Sequence, residues 1–353
     1  MASKRVTSHD VARRAGVSRT TVSLVLNRSE AVALSPETRE RVRAAATELG
    51  YRPNSAGRML VSGSTETIGL IISDAAILPI DGFIPQVLHG IGHVNRERGL
   101  HVLLEGRDSS SGPNPYEALV DARRIDGLIV LNPRGDDEPL KALIESEFPV
   151  VLVGSIRHPQ EHSVNFSSRA GISAATRLLV ELGHRRIGMV AFAPPNFVAA
   201  DTRISAVRRA LATFGLTMPD EAVDNADFSA ESGYHATKRL LQRRPDLTAI
   251  FAGNDTIAIG VMSAAAALGR RVPDDLSVIG FDDLPFSAWL SPALTTVHID
   301  AVQQGALAAE MLIRLLAGEA VIERQVRLDC ALVERKSCAA APRTPLPKGE
   351  GQG

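Results

Sequence analysis

Cysteine is scarce in this chain, which contains Cys330 and Cys338 as its two cysteines among 353 residues. Two cysteines so close together in sequence cannot stabilise a chain of this length by disulfide cross-linking. The sequence therefore predicts a reducing compartment and no disulfide framework. No apolar run follows the basic residues at the start, and no run reaches the roughly 20 residues that span a membrane. We therefore expect a cytoplasmic protein.

Catalytic and cofactor motifs are also missing. The sequence contains no G-x-S-x-G elbow and no P-loop, and the segment GIGHVN at residues 90–95 lacks the third glycine of a dinucleotide fingerprint. The nine histidines are scattered, and Pro159 between His158 and His162 argues against a metal-binding pair on one helix. The sequence predicts no enzyme activity, no cofactor and no metal site.

The charge of the chain is divided unevenly along its length. Residues 1–61 contain eleven Lys and Arg against five Asp and Glu, whereas residues 62–353 contain 28 against 35. A basic module on an acidic body favours a polyanionic partner for the module, because Lys and Arg that neutralise phosphates release condensed counterions. A solvated helical face is the alternative explanation of this charge.

The segment VTSHDVARRAGVSRTTVSLVLN, residues 6–27, holds two short helical patterns around Gly16. Thr7 or Ser8 caps the first predicted helix and Ser18 caps the second. Apolar residues recur at helical spacing and predict a shared core of Val11, Ala12, Ala15, Val22, Val25 and Leu26. A third helix is predicted from Ser35 to Leu49, with Val42, Ala45, Ala46 and Leu49 facing the core. This layout is typical of a helix-turn-helix, whose second helix reads base edges in the major groove, although similar patterns occur in proteins that bind no DNA.

Longer stretches of the chain resemble one known family. The pattern DVARRAGVSRTTVSLVLN followed by SPETRERVRAAATELGYRPN resembles the signature of the lactose-repressor (LacI/GalR) family, and so do LVELGHRRIGMV, FAGNDTIAIGVMSAA and LSVIGFDDLPFSAWLSPALTTV. The resemblance extends from about residue 6 to residue 335. It implies an α/β protein with an N-terminal three-helix helix-turn-helix DNA-binding domain and a periplasmic-binding-protein-like core of two doubly wound parallel-sheet subdomains.

The domain boundaries follow from this resemblance. We expect the DNA-binding domain at residues 1–52, a hinge helix and linker at 53–65, and the effector-binding and dimerisation core at 66–337. Subdomain one is expected at about 66–165 and 300–325, and subdomain two at about 166–298 and 326–337, with three strand crossovers between them. Apolar runs such as TIGLIIS, DGLIVLN and SVIGFD alternate with helical patterns, which independently favours parallel sheets. Residues 338–353 are predicted to form a disordered tail.

Contacts to DNA are predicted on the second helix and the hinge. Arg19, Thr20 and Ser23 face outward at the start of this helix and are expected to contact base edges, and Leu24 a thymine methyl. The resemblance implies that the hinge forms a helix on DNA and wedges Leu60 into a central base step. Gly57 stands where the family usually has Ala, at a cost of about 0.5–1 kcal/mol of helix stability; a plain linker without DNA contact is the alternative. The predicted DNA-binding residues are Thr7, Ser18, Arg19, Thr20, Ser23, Leu24, Arg28, Asn54, Arg58 and Leu60.

Effector-binding residues are predicted in the core, also from the resemblance. Arg203 matches the family arginine that holds the effector, and Asp282 and Asn254 follow strands at positions suited to hydroxyl groups. Phe228 matches an aromatic residue that covers the ligand, and Phe83 lies in a long apolar loop from which it can reach the cleft. Each has a structural alternative: an ordinary surface residue for Arg203, helix caps for Asp282 and Asn254, and core or dimer-face packing for the two phenylalanines.

Together these features predict a ligand-responsive transcriptional regulator. We expect a homodimer that binds a pseudo-palindromic operator and represses carbohydrate uptake or catabolism genes until a sugar effector releases it. Two alternatives remain open. One is a corepressor-type regulator that binds a purine or another metabolite, and the other is a sugar-binding transport protein, which the basic helix-turn-helix argues against.

Overall fold

A computed structural model of the chain describes residues 6–26, 34–51, 63–106 and 116–342. The chain divides into two compact units between Thr65 and Glu66. We call the part up to Thr65 the N-terminal unit and the part from Glu66 the core unit. Within the described ranges, no helix is long and apolar enough to cross a membrane.

The described part of the N-terminal unit consists of α1 (Ser8–Ala15), α2 (Arg19–Leu26) and α3 (Pro36–Glu48). Gly16 ends α1 in the left-handed conformation, with φ of 68°, which glycine adopts without a steric penalty. The Ser18 hydroxyl accepts a hydrogen bond from the Thr21 backbone N–H at 3.1 Å and thereby caps α2. The predicted helix-turn-helix is confirmed.

A small apolar core holds these helices together. The predicted inward positions of α1 and most of those of α2 and α3 are buried, whereas Leu26 and Leu49 pack at the margin of this core. The buried set is Val11, Ala12, Ala15, Val22, Val25, Val42, Ala45 and Ala46. Helical spacing therefore predicted which side of each helix faces inward.

The core unit contains two sheets in its described residues. The first comprises β1 (Thr67–Ile72), β2 (His101–Gly106), β3 (Gly127–Leu131), β4 (Val150–Val153), β5 (His162–Ser167) and β11 (Gln325–Asp329). Its strands lie in the order β2-β1-β3-β4-β5-β11 and are all parallel. The helices of this half are α4 (Phe83–Arg98), α5 (Glu117–Val120), α6 (Glu138–Glu145) and α11 (Ala301–Leu316).

The second sheet repeats this arrangement. It comprises β6 (Ile187–Ala191), β7 (Val223–Asn225), β8 (Ala249–Ala252), β9 (Ser277–Asp282), β10 (Thr295–His298) and β12 (Ala331–Val333). The order is β7-β6-β8-β9-β10-β12, and β12 at the edge runs antiparallel to β10. Its helices are α7 (Arg169–Glu181), α8 (Val198–Ala212), α9 (Ala230–Arg243) and α10 (Asp255–Ala267). The predicted pair of doubly wound sheets is confirmed. The first strand of each sheet lies inside it, β1 between β2 and β3 and β6 between β7 and β8, which is the strand order of doubly wound folds.

The chain passes between the two sheets after β5, after β10 and between β11 and β12. At the third passage, Cys330 is buried and its thiol donates to the Ser167 carbonyl of the first passage at 3.0 Å. The whole of β11 pairs with β5 in the first sheet. The third crossover therefore falls at Cys330, a few residues later than the expected boundary near residue 325, because hydrogen bonding to β5 continues to Asp329.

The segment after residue 337 differs from the predicted tail. Ala339 accepts a hydrogen bond from His184 Nε2 at 3.0 Å and its N–H donates to Ser277 Oγ at 3.1 Å. The Ala341 N–H donates to the Leu182 carbonyl at 2.8 Å. Residues 338–342 are therefore fixed on the second half of the core, and the prediction of disorder from residue 338 is wrong for them. Composition suggested disorder, but hydrogen bonds from the backbone of this segment to the Leu182 carbonyl, the His184 ring and the Ser277 hydroxyl hold it in place. Residues 343–353 lie outside the described residues.

Candidate nucleic-acid interface and ligand cleft

The beginning of α2 presents polar side chains to solvent. Arg19 and Thr20 are exposed, Ser23 is half-buried, and Val22 on the opposite side is buried. Leu24 is also half-buried. Helix α2 therefore offers a guanidinium and hydroxyl groups at the end that a recognition helix turns towards base edges.

The start of α1 is fixed by a reciprocal pair of side chains. Asp10 Oδ2 accepts hydrogen bonds from the Thr7 N–H at 3.0 Å and from the Thr7 hydroxyl at 2.7 Å. These bonds lower the pKa of Asp10. The Thr7 hydroxyl is thus used as a donor within the helix start, although Thr7 itself is exposed. Four further residues predicted to bind DNA lie outside the described residues: Arg28, Asn54, Arg58 and Leu60.

A cleft of about 730 Å³ lies in the core unit, lined by residues of both sheet halves. From the second half come Phe192 after β6, Asn254 after β8 and Asp282 at the end of β9, and from the first half come Asp81 and Gln304. Carboxyl ends of parallel strands are where ligands bind in open α/β sheets. Strand topology therefore explains why residues far apart in sequence meet here.

Arg203 of α8 lies at the inner end of this cleft, with 14% of its side chain exposed. Its Nη1 donates to the Gly253 carbonyl, and its Cζ lies 3.6 Å from the centre of the Phe281 ring and 4.6 Å from that of Phe192. Its Nη2 lies 3.7 Å from Asp282 Oδ1. Burial lowers the pKa of the guanidinium, and the nearby Asp282 opposes this shift. The rings and the carbonyl hold Arg203 in one position, with Asp282 as its nearest counter-ion.

Asp282 combines burial with an unused acceptor. Its side chain is 4% exposed, and its Oδ1 has no hydrogen-bond partner among the described residues. Burial raises the pKa of this carboxyl well above its ordinary value, and Arg203 partly opposes the rise. The backbone of Asp282 has φ of 110°, a strained value for a residue other than glycine. An unpaired buried acceptor beside a fixed guanidinium can accept a ligand hydroxyl group.

Two neighbouring residues on α10 have structural bonds. Asn254, which precedes α10, accepts a hydrogen bond from the Ile257 N–H through its Oδ1 at 2.7 Å. It therefore caps the helix, which was the structural alternative to its predicted binding role. Its Nδ2 makes no hydrogen bond to a described residue, so this amide group can still donate to a ligand in the cleft it lines. Asp255 accepts three hydrogen bonds, at 2.5 to 2.8 Å, from the elements that follow β9. Asp255 therefore connects parts of the fold.

The two predicted phenylalanines have different places. Phe83, the first residue of α4, lines the cleft. Phe228 is buried with 3% exposure and is not among the lining residues; its ring contacts Phe192 and Phe197 edge to face, with ring centres 5.4 and 5.2 Å away. Phe228 thus packs behind the residues that line the cleft. Phe192 occupies the lining position that was expected for Phe228. The signal for Phe192 was its place directly after the strand Ile187–Ala191.

Sequence reasoning also missed Asp81 and Gln304. The Asp81 carboxylate accepts from the Phe83 N–H at 2.8 Å, and burial raises its pKa to about 6. Gln304 Nε2 donates to the Val164 carbonyl at 2.7 Å, and its buried Oε1 has no partner among the described residues. Asp81 lies in the loop that follows β1, so the strand-end rule could have found it. Gln304 lies on a helix, and no sequence signal marks it.

Comparison with known families and proteins agrees with the architecture of both units. A family model described as bacterial regulatory proteins, lacI family, matches residues 7–54, and a periplasmic binding protein-like domain matches residues 176–338. The transcriptional regulator CelR of Thermobifida fusca is 34% identical over 338 residues, which is 95% of this chain and 98% of CelR. The transcriptional repressor PurR of Salmonella paratyphi B is 32% identical over 344 residues, 95% of this chain and 98% of PurR.

Solved structures show the same relationship. The lac repressor dimer bound to operator and the anti-inducer ONPF is similar with a TM-score of 0.83 and 32% identity, over 96% of this chain and all of that one. The CelR–cellobiose complex is similar with a TM-score of 0.73 and 33% identity, over 94% of this chain and all of that one. The relatives are transcriptional regulators, and their similarity extends over both units. The chain belongs to the lacI family of bacterial regulatory proteins.

Proposed function

We propose that this protein is a homodimeric repressor that binds a pseudo-palindromic operator and is released from it by a sugar effector. The observation that carries this proposal is that one cleft contains both the fixed Arg203 guanidinium and Asp282. Oδ1 of Asp282 lies 3.7 Å from Arg203 Nη2 and accepts no hydrogen bond from a described residue. Similar proteins include a lac repressor dimer on its operator and CelR with cellobiose. Carbohydrate uptake or catabolism genes are the proposed targets. Because operators are chromosomal, we place the protein in the cytoplasm.

The DNA-binding half of the proposal depends on α2. A short helix with a capped N-terminus and an exposed Arg19 matches the recognition helix of a helix-turn-helix, which enters the major groove by its first residues. A dimer would place two such helices on the two halves of a palindromic site. Arg19, Thr20, Ser23 and Leu24 are the residues we propose at base edges.

The effector half depends on groups from both sides of the cleft. Arg203 and Asp282 together offer donors and an acceptor, which suits the adjacent hydroxyl groups of a sugar. Gln304 Oε1 faces the same cleft from the first half of the core. A ligand that satisfies groups from both halves binds the closed cleft more tightly than the open one, and it therefore shifts the population of core conformations. We propose that this shift alters operator affinity.

Binding, and no catalysis, is the activity we propose, in line with relatives that are regulators. The membership of the lacI family and the described helix-turn-helix make the transport-protein alternative unsuitable. A purine corepressor would use the same cleft. In the structure, however, the Phe192 and Phe281 rings are occupied by the Arg203 guanidinium, which leaves less aromatic surface for a planar base and favours the sugar.

A mobility-shift assay with the promoter region upstream of its own gene tests this proposal. We expect specific binding that a panel of mono- and disaccharides weakens in at least one case, and that a purine base such as guanine does not strengthen. Binding that is no tighter than to unrelated DNA of equal length would reject the operator function. Strengthening by guanine alone would instead support the corepressor alternative.

A further inference from the structure

The cleft carries a net positive charge within an acidic unit. Residues 62–353 contain 28 Lys and Arg against 35 Asp and Glu. The charged residues that line the cleft are nevertheless five arginines and two aspartates. Both aspartates, Asp81 and Asp282, act on Arg203 at the inner end. The excess of positive charge therefore belongs to the other four arginines: Arg157, Arg169, Arg209 and Arg327.

These four arginines, which we call the outer arginines, form no ion pair with any acid in the described part of the chain. Their one side-chain hydrogen bond runs from Arg157 Nη2 to Thr202 Oγ1 at 3.2 Å. Elsewhere on the core unit Arg208 pairs with Asp220 and Arg239 with Asp224, whereas Arg177 pairs with no described acid, so the distinguishing feature of the outer arginines is that all four line one cleft. All four are exposed to solvent, and several positive charges around one concavity raise the local concentration of anions.

Two further features favour an anion in the cleft that holds Arg203. Arg203 and Arg209 both lie on α8, and both line the cleft. Arg169 is the first residue of α7, whose first turn contains no acidic side chain. The backbone N–H groups and the dipole at the start of this 13-residue helix favour a negative charge. Ser168, which precedes them, also lines the cleft and makes no side-chain cap hydrogen bond.

We propose that the effector is an anionic sugar, a sugar phosphate ester, whose ring lies at Arg203 and Asp282 and whose phosphate lies among the outer arginines. This proposal rests on the proposed function, because it specifies the ligand of the same cleft. Several guanidinium groups suit the three oxygens and the double charge of a phosphate, whereas one bidentate arginine is enough for a carboxylate. A neutral sugar would leave the outer arginines without a counter-ion.

The test uses the full-length protein and two outer arginines. The variant Arg169→Gln with Arg209→Gln removes two charges, and Arg169→Lys with Arg209→Lys keeps both. The control is Arg177→Gln, because Arg177 is exposed on α7 but does not line the cleft. Calorimetry compares glucose with glucose 6-phosphate and cellobiose with its 6′-phosphate, and thermal unfolding measures protection by inorganic phosphate, which needs no knowledge of the sugar.

We expect at least one ester to bind about tenfold or more tightly than its neutral sugar, which is the gain from one or two charge-assisted contacts. This preference should be lost in the double Gln variant, kept in the Arg177→Gln control and partly kept in the double Lys variant. Inorganic phosphate should raise the unfolding temperature of the wild type more than that of the double Gln variant.

Three results would overturn the inference. They are equal protection by phosphate in the wild type and the double Gln variant, protection by phosphate without any preference for an ester, and a neutral sugar that binds as tightly as its ester in all variants. The operator mobility shift separates these failures from a failure of the proposed function. Specific operator binding that a neutral sugar weakens at least as strongly as its phosphate ester would leave the regulator intact and reject only the role of the phosphate.

Discussion

The N-terminal unit and the cleft of the core unit use charge in opposite ways. The buried residues of the three helices are apolar, and Arg19 is exposed at the start of α2. The cleft contains Arg203, Asp81 and Asp282 with little contact to solvent. The polar side chains of a DNA-reading helix are desolvated only when the helix binds DNA. They therefore reduce the folding free energy of the unbound protein very little. In the cleft, by contrast, folding itself removes charged side chains from water before any ligand binds. The rest of the core unit must compensate for the free energy that this burial costs.

A second comparison lies inside the core, between two buried carboxylates. Asp255 uses both oxygens to accept hydrogen bonds from Leu284, Ser287 and Thr296. Asp282, by contrast, has one oxygen without a hydrogen bond. The first arrangement is complete without a ligand and the second is not. This difference separates a residue that stabilises the fold from one that is available for binding.

The largest effect is expected for Asp255→Ala. Three donors would lose their acceptor in a buried environment, so the free energy of unfolding should fall by about 3 kcal/mol or more. Denaturant unfolding of the core transition measures this change. The control is Asp220→Ala, which removes an exposed partner of Arg208 and should cost at most about 1 kcal/mol. Similar losses in the two variants would show that Asp255 has no special structural role.

Asp282→Asn should separate binding from stability. Asparagine tolerates a positive φ and keeps an oxygen at this position, so the main loss for the fold is the counter-ion 3.7 Å from Arg203, and the free energy of unfolding should fall by about 1–2 kcal/mol, less than in Asp255→Ala. The amide NH₂ group of asparagine cannot accept a hydrogen bond, so the loss of one accepting oxygen should weaken effector binding by about tenfold to a hundredfold. Calorimetric titration with the tightest-binding sugar or sugar phosphate measures this. Unchanged affinity would remove Asp282 from the binding site.

Arg19→Ala addresses the other side of the comparison. A bidentate contact between arginine and a guanine contributes about 1–3 kcal/mol of base discrimination, so the variant should lose preference at one operator position. Selection from a randomised operator library measures this preference, with Arg314→Ala on the core unit as the control. Uniform weakening on all sequences, with a smaller dependence on salt, would instead identify Arg19 as a phosphate contact.

The smallest effect is a dependence of core stability on pH. Asp81 has a pKa of about 6 in the folded protein, above the value of about 3.9 expected when it is unfolded. The folded state therefore binds more protons between these values, and stability rises as pH falls through 6. Asp81 should make the core about 1 kcal/mol more stable at pH 5 than at pH 7.5.

Denaturant unfolding of wild type and Asp81→Asn at the two pH values isolates this contribution. Asp255 and Asp282, whose pKa values burial also raises, titrate in both proteins, so the difference between the two proteins reports mainly on Asp81. The variant should show a smaller gain on acidification than the wild type. An identical gain in both proteins would mean that burial of Asp81 does not affect its protonation.

Much of the fold and part of the ligand cleft could be predicted from the sequence. Periodic apolar residues predicted the three helices, and apolar runs predicted the inner strands, because burial on one or both faces leaves a clear pattern. The strand β5, His162–Ser167, was missed because it alternates polar with apolar residues. Gln304 and the outer arginines were missed because topology brings them together from separate elements. Phe228 was predicted to line the cleft but lies behind Phe192, which lines it. A resemblance identifies a matching position in the chain, but it does not show which side chain reaches the cleft surface.

The proposed regulation requires that the cleft and the DNA-binding helices share one conformational equilibrium. Thermodynamic linkage requires that the effector change operator affinity by the same factor by which operator changes effector affinity. Calorimetric titration of the effector into the free protein and into the protein saturated with operator measures the second factor, and a mobility shift measures the first. We expect the two factors to agree. An effector that weakens operator binding yet binds both forms of the protein with the same affinity would contradict the account.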